Sequence, residues 1–376
     1  MIRPPRSLRP AAEPASSRRG LLRWLWAAAL ALVAACGTEP PPAERARELE
    51  RALAERVIAW VESGELARPN DFVYAVDLGQ LLAWSALAGE ERLYLTLRDR
   101  CARELVLDDA SDPYTRGFVA WRRGSGAEVP PDASGTTEAL RVAEGLWRGA
   151  VAFDRPADAE LAWLVLSGYA RHAATDADVW LIRNYFNLGT RAFATNSFLV
   201  DYAPDLVAEV AAATGDAELA EVAERSYALL AGAPAPSGLV YAVVQPELST
   251  LMENDLIVFS PNDVVQLSNA ATAALYGVRG EPHVGLGVLG FALARLPRLD
   301  NSYYGRTGEV ASKRRPGLET WAVLTRLAVA LEHDEARARL APRLLAAAEA
   351  FLAAEPEPRL FVASELLLGL RALAAE

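Results

Sequence analysis

Along this chain, stretches with apolar residues at i, i+3, i+4 and i+7 are joined by connections that are alternately short and long. That spacing lines one face of an α-helix with apolar side chains, so each stretch must bury its stripe against a neighbour. It predicts twelve helices, at about Glu44–Ser63, Val73–Ala88, Glu91–Leu107, Thr136–Ala152, Ala157–Ala174, Pro204–Thr214, Glu218–Leu230, Pro261–Tyr276, Pro282–Ala294, Gly317–Leu331, Glu335–Ala353 and Leu360–Ala374. Some connections are tight and acidic, as at Gly89-Glu90-Glu91, Gly215-Asp216-Ala217 and Gly280-Glu281-Pro282. Acidic residues and proline suit a helix start, where free N–H groups and the dipole favour negative charge and proline needs no donor. The others are long: Asp108 to Gly135, Thr175 to Ala203, Ala231 to Ser260 and Arg298 to Pro316. Strand-like residues, such as Phe118-Val119-Ala120-Trp121 and Leu239 to Val244, fall inside them.

Helical hairpins whose long connections all lie at one end close most simply into an all-α (α/α)6 toroid of about six hairpins, with the long loops on one rim. The inner helices are then those that follow the long loops, starting at Val73, Thr136, Pro204, Pro261, Gly317 and Leu360. The alternative is an open α-solenoid, a protein-binding scaffold, but stacked repeats keep near-constant length and short connections. Loops above ~12–15 residues in compact domains are usually functional, so the long-loop rim is where a site is expected.

The first residues carry Arg3, Arg6, Arg9, Arg18, Arg19 and Arg23 against a single Glu13, followed by an apolar run of 12 residues, Trp24 to Ala35. A spanning helix needs ~20 apolar residues, so this run has the length of a signal-peptide core. It ends Leu32-Val33-Ala34-Ala35-Cys36, which looks like a lipobox. The expectation is a signal peptide at 1–35, a lipidated Cys36 with a Pro-rich tether over 36–43, and one domain over 44–376 at the cell envelope, periplasmic or on the outer-membrane face. Arg18-Arg19 also resembles a twin-arginine export signal.

Formal charge is −11; taking away six arginines and one glutamate with residues 1–35 leaves the remainder near −16. So acidic a body is not expected to bind nucleic acid, which needs a basic face. Cys101 has no second cysteine in the body to pair with and reads as structural. His172, His283 and His333 are scattered without ligand spacing, so no metal or other cofactor is expected. No nucleophile elbow, phosphate loop or dinucleotide fingerprint occurs.

Carboxylates at starts of inner helices or in long loops are Asp77, Asp132, Glu138, Asp263 and Glu319. Asp132 and Glu138 also have the places that helix capping demands. Asp77 sits inside a helix among apolar neighbours, so it must be paired or face a cleft. Tyr114, Trp121, Tyr185, Tyr202, Tyr241, Tyr303 and Tyr304 lie in the long loops, interleaved with Asn184, Asn187, Asn196 and Asn301. Flat rings and planar amides are what sugars bind, although such rings also anchor loops. Trp121, Asp132, Tyr202, Asn262, Tyr303, Tyr304 and Glu319 are the candidate substrate-binding residues. Lys313-Arg314-Arg315, with the chain's only lysine, reads as a solvated charge cluster.

Tyr74-Ala75-Val76-Asp77-Leu78-Gly79-Gln80, Asp201-Tyr202-Ala203-Pro204-Asp205-Leu206, and Phe259-Ser260-Pro261-Asn262-Asp263 resemble inner-helix starts of the six-hairpin glycosidase superfamily, most nearly glycoside hydrolase family 8. Asp132-Ala133-Ser134-Gly135-Thr136-Thr137-Glu138 is similar to those of unsaturated glucuronyl hydrolases, which share the fold. The resemblance implies a polysaccharide substrate and an inverting mechanism, with an acid and a base ~6.5–9.5 Å apart. It puts the base at Asp263. The family's acid position falls near Tyr74, leaving Asp77, one turn on, or Glu138 to act. A protein that binds glycans or assembles polysaccharide without cleaving them is the alternative.

Overall fold

The computed structural model describes residues 40–124, 130–176, 179–244, 252–253, 256–257, 264–354 and 357–375. The chain divides into two units, Met1–Pro41 and Pro42–Glu376, and the helices below belong to the second. Among the described residues there are twelve α-helices: α1 (Pro42–Ser63), α2 (Ala75–Ala88), α3 (Glu91–Arg100), α4 (Thr136–Ala152), α5 (Pro156–Ala170), α6 (Pro204–Thr214), α7 (Ala217–Gly232), α8 (Leu267–Leu275), α9 (Pro282–Arg295), α10 (Leu318–Ala330), α11 (Asp334–Ala353) and α12 (Leu360–Ala374).

Helix α2 packs on α4 and α12, α12 on α10, and α10 on α8; the 3-10 turn Leu199–Asp201, just before α6, touches both α4 and α8. The last helix also lies against α1, so the ends meet. The helices therefore form a closed (α/α)6 ring with α2, α4, α6, α8, α10 and α12 inside, and the open solenoid is excluded. The tight turns form as the sequence implies. Gly89 and Gly215 end α2 and α6 in the left-handed region, and Asp216 accepts from the N–H groups of Glu218 and Leu219 at 2.9 and 3.1 Å to start α7.

Inner helices must be apolar nearly all round, because both faces are covered. In α12 only Phe361, Arg371 and Ala372 are not fully buried. Helices α2 and α4 approach so closely that a Cβ on Gly79 would stand 2.6 Å from the Arg141 carbonyl carbon. Several polar groups of the inner ring are joined. Gln80 donates to Glu365 (2.5 Å), Ser364 to Gln80 (2.7 Å), Arg326 to Glu365 (3.1 Å) and Tyr276 to Glu144 (2.9 Å), which links α2, α12, α10 and α4 through the C-terminal end of α8. A buried polar group left without a partner costs about 1–3 kcal/mol, so this girdle favours one register of the inner helices.

Short antiparallel strands stitch each loop to the next. β1 (Phe72–Tyr74) pairs with β2 (Arg122–Gly124), β3 (Ala133–Gly135) with β6 (Tyr185–Asn187), β8 (Ser197–Phe198) with β9 (Val243–Val244), and β12 (Val264–Gln266) with β13 (Ser302–Tyr304), which also holds β14 (Val310–Ser312). Loops tied in ring order must share a rim, and β1, β3 and β12 each run straight into an inner helix there. β4 (Ala173–Asp176), β5 (Val179–Ile182) and β7 (Ala192–Phe193) fold the long loop before α6 on itself, and β10 (Met252–Glu253) pairs with β11 (Leu256–Ile257).

The strands shift several expected helix ends. Helix α2 starts at Ala75, not Val73, and α5 stops at Ala170, because residues 173–176 pair with 179–182. The helix expected from Pro261 starts at Leu267, since Val264-Val265-Gln266 extends against Tyr304-Tyr303-Ser302. β-Branched residues favour that pairing once a partner strand is present. Beyond Arg100, α3 continues as a π turn, Cys101–Leu105.

Candidate active-site pocket

At the start of α4 the rim holds a cavity of ≈ 410 Å³, lined by Trp121, Asp132, Ala133, Ser134, Gly135, Thr137, Glu138, Asn184, Tyr185 and Asn187. Two loops and a helix build it: the long loop from Asp108 to Gly135 supplies Trp121, Asp132 and β3, the start of α4 supplies Thr137 and Glu138, and the long loop from Thr175 to Ala203 supplies Asn184, Tyr185 and Asn187. The β3–β6 register, Gly135 opposite Tyr185 and Ala133 opposite Asn187, brings these last together.

Glu138 stands in the first turn of α4 with its carboxyl folded over Gly135, where a Cβ would collide with it. Burial pushes this carboxyl up to about 7. Its own backbone N–H pulls the other way, and the neighbouring Asp201 carboxylate adds to the rise. Asp132 lines the same cavity. Burial pushes this carboxyl up, but hydrogen bonds from Trp121 Nε1 (2.6 Å) and Arg122 (3.0 Å) together outweigh it and hold the group below the usual carboxylate range. One pocket thus presents a carboxyl that keeps its proton near neutrality and one that does not. The Arg122 guanidinium also lies over the Phe72 and Trp121 rings, 4.1 and 4.2 Å from their centroids, which fixes the Trp121 indole.

Behind Glu138 is Asp201, fully buried in the turn before α6. It accepts from Thr137 Oγ1 (2.5 Å) and the Phe198 N–H (3.0 Å), and burial pushes it up to about 6 against these bonds. Sequence reasoning did not single out Asp201, although an acid flanked by Leu199, Val200, Tyr202 and Ala203 is the same signal that marked Asp77. Asn184, Tyr185 and Asn187 are among the loop amides and rings that the sequence marks as suited to sugars, and the strand pairing brings them to one pocket beside Thr137, which no local signal marks.

Asp77 is placed differently from the expectation that it might face the cleft. It is fully buried and takes a bidentate ion pair from Arg68, at 2.9 and 2.6 Å. Arg68 in turn lies 3.9 Å from the Tyr74 ring centroid, and the Tyr74 hydroxyl accepts from Asn70. Burial raises the Asp77 carboxyl, and Arg68 opposes that rise. Asp77 does not line the cavity, so of the two carboxyls expected as the acid Glu138 is the one found there.

The other expected residues separate. Tyr202 is buried, its hydroxyl held by Ser197 Oγ (2.7 Å) and the Ile182 N–H (3.0 Å), and Tyr303 is buried against Phe291, accepting from the Asp300 N–H. Both anchor loops and neither reaches the cavity. Tyr304 is 36% exposed on the opposite part of the rim. Glu319 is folded over Gly317 at the start of α10. Asp263, Asn262 and Cys36 lie outside the described residues.

His172 is buried behind Ser134 and does not line the cavity. Its Nε2 meets Ser134 Oγ at 3.3 Å and its Nδ1 the Gly168 carbonyl oxygen at 3.2 Å, with Phe118 and Phe193 against its ring. Burial lowers its pKa to about 4, so it holds β3 in place as a neutral ring. Cys101 is buried and its thiol is pushed up to about 12, which leaves it inert. Among the described residues no group of three or more His, Cys, Asp or Glu is placed to hold a metal ion, and no helix is long and apolar enough to cross a membrane.

No family model and no curated protein matches this chain. Solved structures do match in fold. An α-amylase from Clostridium perfringens superposes with a TM-score of 0.63 at 13% identity, over 80% of this chain and 86% of the other. PssZ from Listeria monocytogenes gives 0.61 at 12% identity, over 80% and 86%. The endo-β-1,4-glucanase CMCax from Acetobacter xylinum gives 0.58 at 15% identity, over 81% and 99%. The chain therefore shares its (α/α)6 fold with these structures.

Proposed function

We propose that this chain is an envelope-anchored lipoprotein, held through Cys36, whose rim pocket binds a polysaccharide and hydrolyses it by an inverting two-carboxylate mechanism. The observation that carries the reading is the opposed ionisation of the two carboxyls lining one cavity, Glu138 pushed up to about 7 and Asp132 held low. Glycoside cleavage needs a protonated carboxyl at the leaving oxygen and an ionised one to activate water, and environments that drive two carboxyls apart assign those roles. Glu138 is the acid. Asp132 is the ionised carboxylate of the described pocket, and Asp263, which lies outside the described residues, is the base implied by resemblance. Trp121 and Tyr185 offer ring faces to the sugar, and Asn184 and Asn187 offer amides to its hydroxyls. The neighbours in fold, an α-amylase and an endo-β-1,4-glucanase among them, act on polysaccharides by name, which supports a glycan as the ligand class.

The test is reducing-end release from neutral and acidic polysaccharides. Wild type should release ends, Glu138→Gln should lose the activity, and Asp132→Asn and Asp263→Asn tell which carboxylate is the base. Release by Glu138→Gln at the wild-type rate would overturn the assignment. A second reading is favoured by the start of α2, where Tyr74 stands at the family's acid position and Asp77 is sealed by Arg68. There the pocket binds glycan without cleaving it, and affinity electrophoresis would show retention with no ends released.

A further inference from the structure

The arginines of this body are mostly paired with carboxylates, as in Arg68–Asp77, Arg98–Asp158, Arg148–Glu209 and Arg191–Asp112. Lys313-Arg314-Arg315 breaks that pattern. All three are exposed, and among the described residues none of their side chains has a hydrogen bond or ion pair. Their backbone is nonetheless fixed. The Arg314 N–H donates to the Ser312 carbonyl oxygen (2.8 Å), its own carbonyl oxygen accepts from the Asn301 N–H (2.7 Å), and β14 immediately before is paired to β13. Three cations on an ordered loop of a chain with net charge −11 hold local positive potential that the rest of the molecule opposes.

Their position gives the charge a use. The loop leads from β14 into α10, and in the ring order α2, α4, α6, α8, α10, α12 the start of α10 lies opposite the start of α4, where the pocket is. Both are on the same mouth. Tyr304, 36% exposed on the neighbouring strand, sets an aromatic ring in the same three-stranded sheet. The pocket side carries Asp132 and Glu138 and no cation among its lining residues. A polymer lying across the mouth therefore meets carboxylates and amides at one end and unpaired cations with an aromatic ring at the other.

We propose that Lys313, Arg314 and Arg315, with Tyr304, form a distal subsite that recognises an anionic substituent on the polysaccharide, a carboxylate, phosphate or sulfate carried some residues away from the sugar in the pocket. This rests on the glycan reading of the pocket. An anionic sugar in the pocket itself would face ionised Asp132, so the charge asymmetry sets the direction of the chain as well as its class.

The single lysine makes the subsite directly readable, because an amine-reactive ester labels Lys313 as the only side-chain amine of the chain. The full chain is labelled alone, with hydroxyethyl β-1,4-glucan, and with its carboxymethylated and sulfated counterparts, and peptide masses report modification of Lys313. In parallel, affinity electrophoresis in the same polymers compares wild type with K313Q/R314Q/R315Q. The anionic polymers should slow labelling, and the triple variant should lose on the order of tenfold in their retention, with retention by the neutral polymer unchanged. Equal retention of neutral and anionic polymers by wild type and variant would overturn the subsite and leave the pocket reading standing. Binding to neither would overturn both. Binding to phosphatidylglycerol vesicles in place of polymer, lost in the triple variant, would overturn the subsite in favour of a membrane surface.

Discussion

Replacing Glu138 by glutamine should make the protein more stable above pH 7 and leave it unchanged near pH 4.5. The Glu138 carboxyl ionises at 4.5 when unhindered and at about 7 in the fold. A raised carboxyl contributes stability that is fully present below pH 4.5 and is lost as pH rises through 7, because the unfolded chain gives up the proton first. Each pH unit of that window corresponds to 1.36 kcal/mol, and the full gap to about 3 kcal/mol. The side chain faces the cavity, where solvent relieves part of the cost, so about 2 kcal/mol is expected at pH 8. Glutamine keeps the shape and cannot ionise. Asp201, itself raised to about 6, loses a negative neighbour in the variant and should titrate lower, which adds to the gain between pH 6 and 8. Urea unfolding of wild type and Glu138→Gln at pH 5 and pH 8 measures the difference. If the variant is no more stable than wild type at pH 8, or gains equally at pH 5, Glu138 is not a carboxyl held protonated by the fold and loses its claim to be the acid.

Three further outcomes follow from the same contacts. His172, lowered to about 4 from 6.5, contributes stability that is present above pH 6.5 and lost as pH falls through 4, worth about 3 kcal/mol in all; His172→Gln should flatten that part of the stability–pH curve in urea titrations. Arg68→Met leaves the Asp77 carboxylate buried and unpaired and should cost about 3–5 kcal/mol at pH 7, with Arg68→Met/Asp77→Asn recovering a large part of it by thermal unfolding. Gly79→Ala sets a Cβ against the Arg141 backbone and should force α2 and α4 apart at a cost of about 1–3 kcal/mol or more in calorimetry.

The helices were legible in the sequence because a helix is written locally. Period, caps and prolines all act within a few residues, and Pro156, Asp216 and Pro282 start helices as their chemistry dictates. The alternation of short and long connections was equally legible and implied the ring, since hairpins with one crowded end have little choice but to close. What the sequence could not determine is anything made by residues distant along the chain. Val264-Val265-Gln266 reads as the start of a helix until β13 lies beside it. Asp77 and Asp201 carry the same local signal, an acid among apolar residues, yet one is sealed by Arg68 and the other sits behind the pocket, touching Thr137. Glu138 looks like an ordinary first-turn acid, and only enclosure by two loops and the nearby Asp201 keeps its proton on near neutrality. Ionisation is set by through-space distances and by exclusion of water, and both come into being only when the ring has closed.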